Sequence, residues 1–90
     1  MKETTVALKN RDGLHARPAG LFSKAASKYK SEIKVIKNGD GSKCCNPKSI
    51  LSILSLGAKQ GDQLTITVNG DDETEALKEL QHLLEQEFDH

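Results

Sequence analysis

The 90-residue chain lacks most of the features that would assign it to a specialised class of protein. It has no tryptophan, three aromatic residues, and 13 basic residues against 13 acidic ones. A neutral chain with few aromatics does not have the basic, stacking surface of a typical nucleic-acid binder. No apolar run approaches the ~20 residues of a membrane span, and the first residues do not resemble a signal peptide. We therefore expect a soluble cytoplasmic protein without a nucleic-acid partner or membrane insertion.

Cysteine is also scarce, since Cys44 and Cys45 are the only two and they are adjacent. Neighbouring cysteines are poor disulfide partners, and two thiolates alone do not complete a zinc site. The three histidines show no metal-ligand spacing relative to them. We expect two reduced structural thiols and neither a metal nor another cofactor. A small structural or metal-binding domain that uses this pair is a third hypothesis for function.

The pattern of apolar residues predicts one α+β domain over residues 1–90 with the order βαββαβα. Strand-like alternation occurs at Thr4, Val6 and Leu8, again around Ile33 and Val35, and again over residues 63–69. Helical spacing begins at Ala16, where one face carries Pro18, Phe22, Ala25 and Tyr29 and the other face carries Ser23 and Lys24. Since the strands and helices do not alternate strictly, we expect an antiparallel or mixed sheet with helices on one face.

The segment Gly13-Leu14-His15-Ala16-Arg17-Pro18 carries most of the functional information. Proline is tolerated only in the first helical turn, so the helix begins close to residue 16 and His15 lies at or beside its N-cap. The positive end of a helix disfavours a protonated imidazole, and its free N–H groups bind phosphate oxygens. Arg17 adds charge-assisted hydrogen bonds to the same oxygens. This arrangement suits a histidine that accepts and then releases a phosphoryl group.

Two separated segments resemble the HPr family, the histidine-containing phosphocarriers of the bacterial phosphoenolpyruvate:sugar phosphotransferase system. They are residues 13–19 and residues 48–57, which read Lys-Ser-Ile-Leu-Ser-Ile-Leu-Ser-Leu-Gly. The resemblance covers essentially the whole chain. It implies an open-faced β-sandwich, in which three helices cover one face of a four-stranded antiparallel sheet. It also implies a phosphocarrier and not an enzyme. A monomer is the simplest expectation for the oligomeric state.

By this resemblance, Nδ1 of His15 accepts a phosphoryl group from phosphorylated enzyme I and passes it to enzyme IIA domains, while Arg17 assists the phosphate. Ser49 matches the serine that HPr kinase/phosphorylase modifies, and the phosphoserine form resembles a co-repressor for a catabolite-control transcription regulator. The alternative function is therefore a specialised HPr-like regulatory module that acts mainly through Ser49 and protein binding.

The second helix allows two starting points and predicts a docking surface. Either Asn46 caps it with Pro47 at the first helical position, or Ser49 is the N-cap. Its apolar residues cannot all be buried in so short a helix, so some form an exposed patch for partners. By resemblance, Ile50, Leu51 and Leu54 belong to the surface shared by enzyme I and enzyme IIA, with Gly20 and Lys24 on the first helix beside them.

Three features depart from the usual family pattern. Residues 40–47 are about three residues longer, an insertion that loop-closure entropy tolerates. Because this insertion directly precedes Ser49, it bears on recognition by a kinase. Asp12 replaces a neutral polar residue and would repel a nearby phosphate. Gly20 replaces a bulkier residue and weakens the first helix by roughly 1 kcal/mol relative to alanine.

Overall fold

The computed structural model of the chain describes residues 1–9, 13 and 16–85, with only the backbone described at residues 16, 17, 42 and 43. The four strands form one antiparallel sheet in the order β1-β4-β2-β3. The predicted order βαββαβα is confirmed. The elements are β1 (Lys2–Ala7), α1 (Ala16–Ser27), β2 (Glu32–Lys37), β3 (Asp40–Cys45), α2 (Ile50–Leu56), β4 (Gln63–Asn69) and α3 (Glu73–Glu85).

Alternation along the strands gives the sheet one buried face and one exposed face. Antiparallel pairing places Val6 opposite Leu64, and Ile66 opposite Val35, so that buried apolar residues form continuous rows. On the other face the hydroxyls of Thr5 and Thr65 share a hydrogen bond of 2.9 Å across β1 and β4. Polar and β-branched side chains suit such a half-solvated surface.

The helices bury residues at helical spacing against the apolar face of this sheet. Phe22 and Ala26 of α1 are essentially inaccessible, as are Ala76, Leu80 and Leu84 of α3, which lie four residues apart. Such i, i+4 spacing places side chains on one stripe of a helix. The predicted fold class, an open-faced sandwich with its helices on one side, is confirmed.

The β2–β3 hairpin turns at Asn38 and Gly39, whose φ angles of 53° and 72° are typical of a type I′ turn. Pairing then passes from Ile36 opposite Cys44 to Lys37 opposite Asp40. One residue along β2 therefore corresponds to four along β3, an excess of three residues that forms a bulge at 41–43. β3 begins at Asp40, directly after Gly39, because the tight turn allows pairing at once.

The entry to α3 is held by a carboxylate that binds the backbone before β2. Asp72 accepts hydrogen bonds from the N–H groups of Lys30 (2.8 Å) and Ser31 (3.0 Å) and from the Ser31 hydroxyl. The Ser31 hydroxyl, followed by these N–H groups, holds the pKa of Asp72 below its usual range. The ionised carboxylate therefore joins the two segments more strongly than the protonated acid would.

Stability should fall in acid because several carboxylates have lowered pKa values in the folded state. They are Asp72, and also Asp62, Glu73 and Glu79. A lowered folded-state pKa contributes stability above the unfolded value of about 4, and this contribution disappears as pH falls through the folded value. We expect the urea midpoint to be level from about pH 7 to 5 and to drop steadily below that.

Asp72→Asn should have a lower midpoint at pH 7 and a shallower decline in acid, since one of the titrating groups is gone. The matched control is Asp71→Asn, which removes the exposed carboxylate next to it. If Asp72→Asn and Asp71→Asn both follow the pH profile of the wild type, Asp72 does not contribute to the pH dependence of stability.

Candidate functional site

The backbone before α1 is fixed at Gly13, which is buried and has a φ of 72°. A Cβ at this position would lie closer than 3.0 Å to the carbonyl oxygen of Ala58 and 3.0 Å from the Cα of Lys59. The chain leading into α1 is therefore in close contact with the loop that follows α2. Only glycine combines this backbone conformation with so close an approach.

The predicted phosphoryl acceptor His15 lies outside the described residues, as do Asp12 and the side chain of Arg17. The structure does describe the frame around them, namely Gly13 on one side and α1 on the other. The helix begins at Ala16, and Pro18 is buried in its first turn, as the sequence predicted. His15 is thus the residue that directly precedes the first helical residue.

The loop over residues 57–62 packs against Gly13. Gly57 ends α2 in the left-handed conformation, with a φ of 66°, and Lys37 Nζ lies 3.5 Å from its carbonyl oxygen. Asp62 accepts hydrogen bonds from the Lys59 N–H (2.8 Å) and from the Asn38 amide (3.3 Å). The Lys59 N–H is the main cause of a lowered pKa at Asp62. The loop is therefore closed by an ionised carboxylate.

The same loop is also joined to the end of β1 by main-chain hydrogen bonds. The N–H of Leu8 donates to the Asp62 carbonyl at 2.8 Å, and the N–H of Gly61 donates to the Leu8 carbonyl at 2.9 Å. These bonds fix the loop from a second side. Together with the contact at Gly13, they hold three separate segments of the chain at one end of the molecule.

α2 exposes the three apolar residues that were predicted to form a docking surface. Leu51 is 76% exposed, Ile50 45% and Leu54 39%, whereas Ile53 and Leu56 point into the core. The expectation that part of this helix faces outward is confirmed. A contact between these residues and a partner stays a prediction. We call Ile50, Leu51 and Leu54 the α2 patch.

On α1, Lys24 is exposed and Gly20 is partly exposed, which suits the predicted rim of a docking surface. Leu21 is 47% exposed and was missed by the sequence analysis. Its position could have been found from helical spacing, because residues 17, 20, 21 and 24 lie on one face of a helix. Leu21 adds apolar surface next to both predicted residues.

Gly20→Ala is expected to stabilise the protein by about 0.5–1 kcal/mol, since alanine loses less backbone entropy in a helix. No atom lies within 4 Å of the position that its Cβ would occupy, so the methyl group meets no obstacle. Chemical unfolding would show a higher midpoint at an unchanged slope. An unchanged or lowered midpoint would mean that Gly20 has a structural role in α1.

Ser49 is the N-cap of α2, which decides between the two predicted starting points. Its backbone is extended, with φ −113° and ψ 121°, and its Oγ accepts a hydrogen bond from the Ser52 N–H at 3.4 Å. Asn46 instead forms a local turn, in which its Oδ1 accepts from the Lys48 N–H at 3.1 Å. The Ser49 side chain is exposed, so its hydroxyl is accessible.

The residue before Ser49 is bonded to α1 and to the segment that follows it. Lys48 Nζ donates to the carbonyl of Tyr29 at 2.8 Å, and the Ser23 hydroxyl donates to the carbonyl of Lys48 at 3.2 Å. The prediction that Ser23 lies on the polar face of α1 was wrong, since it is only 5% exposed. A serine tolerates burial here because its hydroxyl has a hydrogen-bond acceptor.

A second cluster joins the end of α1 to α3, away from Gly13. The Tyr29 hydroxyl donates to Glu79, and Lys28 Nζ donates to the same carboxylate at 2.9 Å. The Glu79 carboxylate raises the pKa of Tyr29 to about 12, while the Tyr29 hydroxyl lowers the pKa of Glu79. Tyr29 follows the end of α1 at Ser27, so the helical face predicted from the sequence was too long by two residues.

The two cysteines occupy different environments. Cys45 is buried, and burial raises its pKa to about 11, whereas Cys44 is exposed. Among residues 1–9, 13 and 16–85, no three His, Cys, Asp or Glu side chains come together as metal ligands. Across these same ranges, every helix is too short or too polar to span a lipid bilayer.

Comparison with known proteins decides the family. The family model described as "PTS HPr component phosphorylation site" matches residues 2–86. The chain belongs to the HPr family. The phosphocarrier protein HPr of Mycoplasma pneumoniae is 42% identical over 87 residues, which cover 94% of each chain. A crystal structure of HPr-C-His from Thermoanaerobacter tengcongensis is 49% identical, with a TM-score of 0.85 over 94% of this chain and 92% of that one.

A third relative carries a different name. The HPr-like protein Crh of Halalkalibacterium halodurans is 40% identical over 87 residues, which cover 97% of this chain and 100% of that protein. The family model is named for a phosphorylation site of the phosphotransferase system, and the Mycoplasma pneumoniae relative is named as a phosphocarrier. The chain is thus a phosphocarrier of this system and not an enzyme, as predicted. Its partners in general terms are the other proteins of the system.

Proposed function

We propose that residues 1–90 form one domain that accepts a phosphoryl group on His15 from phosphorylated enzyme I and transfers it to enzyme IIA domains. The match to the HPr family carries this proposal. It is supported by the position of residue 15, directly before the first residue of α1 and two residues after Gly13. A helix N-terminus at this point supplies N–H groups and a positive dipole end for the phosphate.

In each transfer one bond to phosphorus replaces another. The lone pair of His15 Nδ1 attacks the phosphorus, while the bond between phosphorus and the donor nitrogen of enzyme I breaks and its electron pair stays on that nitrogen. Arg17 binds the phosphoryl oxygens during this exchange, which lowers their charge repulsion with the incoming nitrogen. The second transfer, to an enzyme IIA domain, repeats the exchange with His15 as the donor.

The α2 patch, with Gly20, Leu21 and Lys24, is the proposed docking surface for both partners. It combines exposed apolar side chains with a basic rim, a combination that favours a partner with apolar and acidic residues. We place the protein in the cytoplasm as a monomer, where both partners of the transfer would reach the same surface in turn.

The test is phosphorylation with enzyme I and phosphoenolpyruvate. The wild type should acquire an acid-labile, alkali-stable phosphoryl group, His15→Ala none, and Arg17→Ala one at a markedly lower rate. Both variants should retain the wild-type circular dichroism spectrum. An unlabelled wild type, under conditions that label a standard HPr, would refute the carrier role.

The second candidate function is regulation through Ser49, with HPr kinase/phosphorylase and a catabolite-control transcription regulator as partners. It is favoured by the exposed hydroxyl of Ser49 and by the similarity to a protein named HPr-like protein Crh. A phosphate at an N-cap meets free N–H groups, so the modification is compatible with α2. ATP-dependent labelling that disappears in Ser49→Ala would support it, and loss of sugar uptake in His15→Ala would exclude a purely regulatory role.

A further inference from the structure

Ser23 is a buried polar residue of α1 that the proposed phosphoryl transfer does not use. Burying a hydroxyl is unfavourable unless it forms a hydrogen bond, and this one donates to the carbonyl of Lys48 at 3.2 Å. Its neighbours on the same side of the helix, Ala19 and Ala26, are buried methyl groups. Alanine would therefore suit the packing here, and what serine adds is the bond to the segment before α2.

Lys48 joins the same two segments through its side chain. Its Nζ donates to the carbonyl of Tyr29 at 2.8 Å, two residues beyond the end of α1. A cation is favourable there because the C-terminal end of a helix carries a partial negative charge. The half-buried side chain of Lys48 thus directs its ammonium at the end of α1.

The backbone of Lys48 is in turn coupled to α2 through Asn46. The Asn46 Oδ1 accepts from the Lys48 N–H at 3.1 Å, and the Asn46 N–H donates to the hydroxyl of Ser52 at 2.9 Å. Across the residues that the structure describes, the two bonds to Lys48 are the only hydrogen bonds between residues 18–29 and residues 46–56. We call these two bonds the α1–α2 clamp.

Hydrogen bonds fix the relative position of two helices more strictly than apolar packing does. The burial of apolar surface is non-directional, whereas a hydrogen bond weakens steeply with distance and angle. Satisfied buried polar groups can therefore specify one arrangement of a core. This matters here because the proposed docking surface is built from two helices, with the α2 patch on one and residues 20, 21 and 24 on the other.

We propose that Ser23 and Lys48 are positioning residues, which hold α1 and α2 at the relative angle that enzyme I binds. This inference rests on the proposed function. Neither side chain belongs to the docking surface itself, since Ser23 is buried and the Lys48 ammonium is bonded to the Tyr29 carbonyl. They act through the helices that carry this surface.

The experiment compares Ser23→Ala and Lys48→Met with Glu79→Ala. Each of the first two removes one bond of the α1–α2 clamp, and methionine keeps an unbranched apolar side chain at position 48. The control removes the carboxylate that binds Tyr29 and Lys28, and so loosens α1 from α3 instead of from α2. At a temperature where all are folded, the apparent KM for phosphorylation by enzyme I should rise about three- to fivefold in both clamp variants and stay at the wild-type value in the control, with kcat near the wild type throughout.

Two further measurements separate positioning from direct contact with enzyme I. The rise in KM should persist at high salt, which screens exposed charges. Residual dipolar couplings of the unphosphorylated protein, measured by NMR, should show a changed angle between α1 and α2 in both clamp variants and the wild-type angle in Glu79→Ala. Ser23→Ala is the decisive variant, because Ser23 is neutral and buried and cannot offer enzyme I a charge.

Each outcome decides the inference. A raised KM with a changed interhelical angle in both clamp variants supports it. A rise in Lys48→Met alone overturns it, because the ammonium then contacts enzyme I directly. A wild-type KM in Lys48→Met, a raised KM at an unchanged angle, or an equal rise in Glu79→Ala also overturns it. A wild type that accepts no phosphoryl group defeats the proposed function itself, and an unchanged angle in the clamp variants would then still overturn the inference.

Discussion

Gly13→Ala is expected to lower the free energy of unfolding by about 2–4 kcal/mol. The added methyl group would overlap the carbonyl oxygen of Ala58 and press on the Cα of Lys59. Neither atom can move freely, since the loop is held by the bonds to Asp62 and Leu8. The left-handed φ of 72° adds a conformational penalty of about 1 kcal/mol for any residue with a Cβ. Urea unfolding followed by circular dichroism measures the loss.

Gly39→Ala is the matched control for this prediction. Gly39 has the same φ of 72°, but nothing lies within 4 Å of the position of its Cβ. Gly39→Ala should lower the free energy of unfolding only by the conformational penalty, about 1 kcal/mol. The difference between the two variants measures the contact between the residue-13 backbone and the loop after α2. Equal losses would show that this contact contributes nothing to stability.

The same substitution should slow phosphoryl transfer when assayed at a temperature where the variant is folded. Displacing the loop at Ala58 moves both the backbone of Lys59 and the entry to α1. The geometry of transfer is sensitive to such small displacements. Gly39→Ala, which alters only the β2–β3 turn, should transfer at the wild-type rate. Wild-type transfer by folded Gly13→Ala would indicate that the contact supports stability alone.

The sequence predicted most of the fold because its signals are local. Alternation at residues 63–69 and the proline at position 18 each constrain their own segment, and the order of elements follows. The contact of Gly13 with Lys59 could not be predicted this way. It joins residues 46 positions apart, and neither residue carries a pattern that points to the other.

Errors at the candidate site have similar causes. Ser23 was assigned to the polar face by its chemistry, yet the Lys48 carbonyl gives its hydroxyl a buried acceptor. Leu21 was overlooked because leucine as a residue type suggests burial. Its exposure is indicated only by its position on the helix. The choice between Asn46 and Ser49 as the cap was open, since both are good capping residues and only the backbone conformation separates them.

Leu51→Ala is expected to weaken docking to enzyme I at least tenfold while leaving stability within about 0.5 kcal/mol of the wild type. Leu51 is the most exposed residue of the α2 patch, at 76%, so truncation removes little buried area within the protein itself. At an interface the same side chain would be fully desolvated, and large central side chains dominate binding energy. The apparent KM for phosphorylation by enzyme I measures the effect, with kcat expected to change little.

Ile53→Ala separates docking from folding, because it makes a similar aliphatic truncation on the opposite side of the same short helix. Ile53 is fully buried, so its loss should lower stability by about 2–4 kcal/mol. Below its melting temperature this variant should keep a KM near that of the wild type, since the α2 patch is intact. Leu51→Ala should therefore raise KM with little change in the unfolding free energy, whereas Ile53→Ala should lower the unfolding free energy with little change in KM. A normal KM in Leu51→Ala would remove the α2 patch from the docking surface and leave α1, through Leu21 and Lys24, as the part that enzyme I contacts.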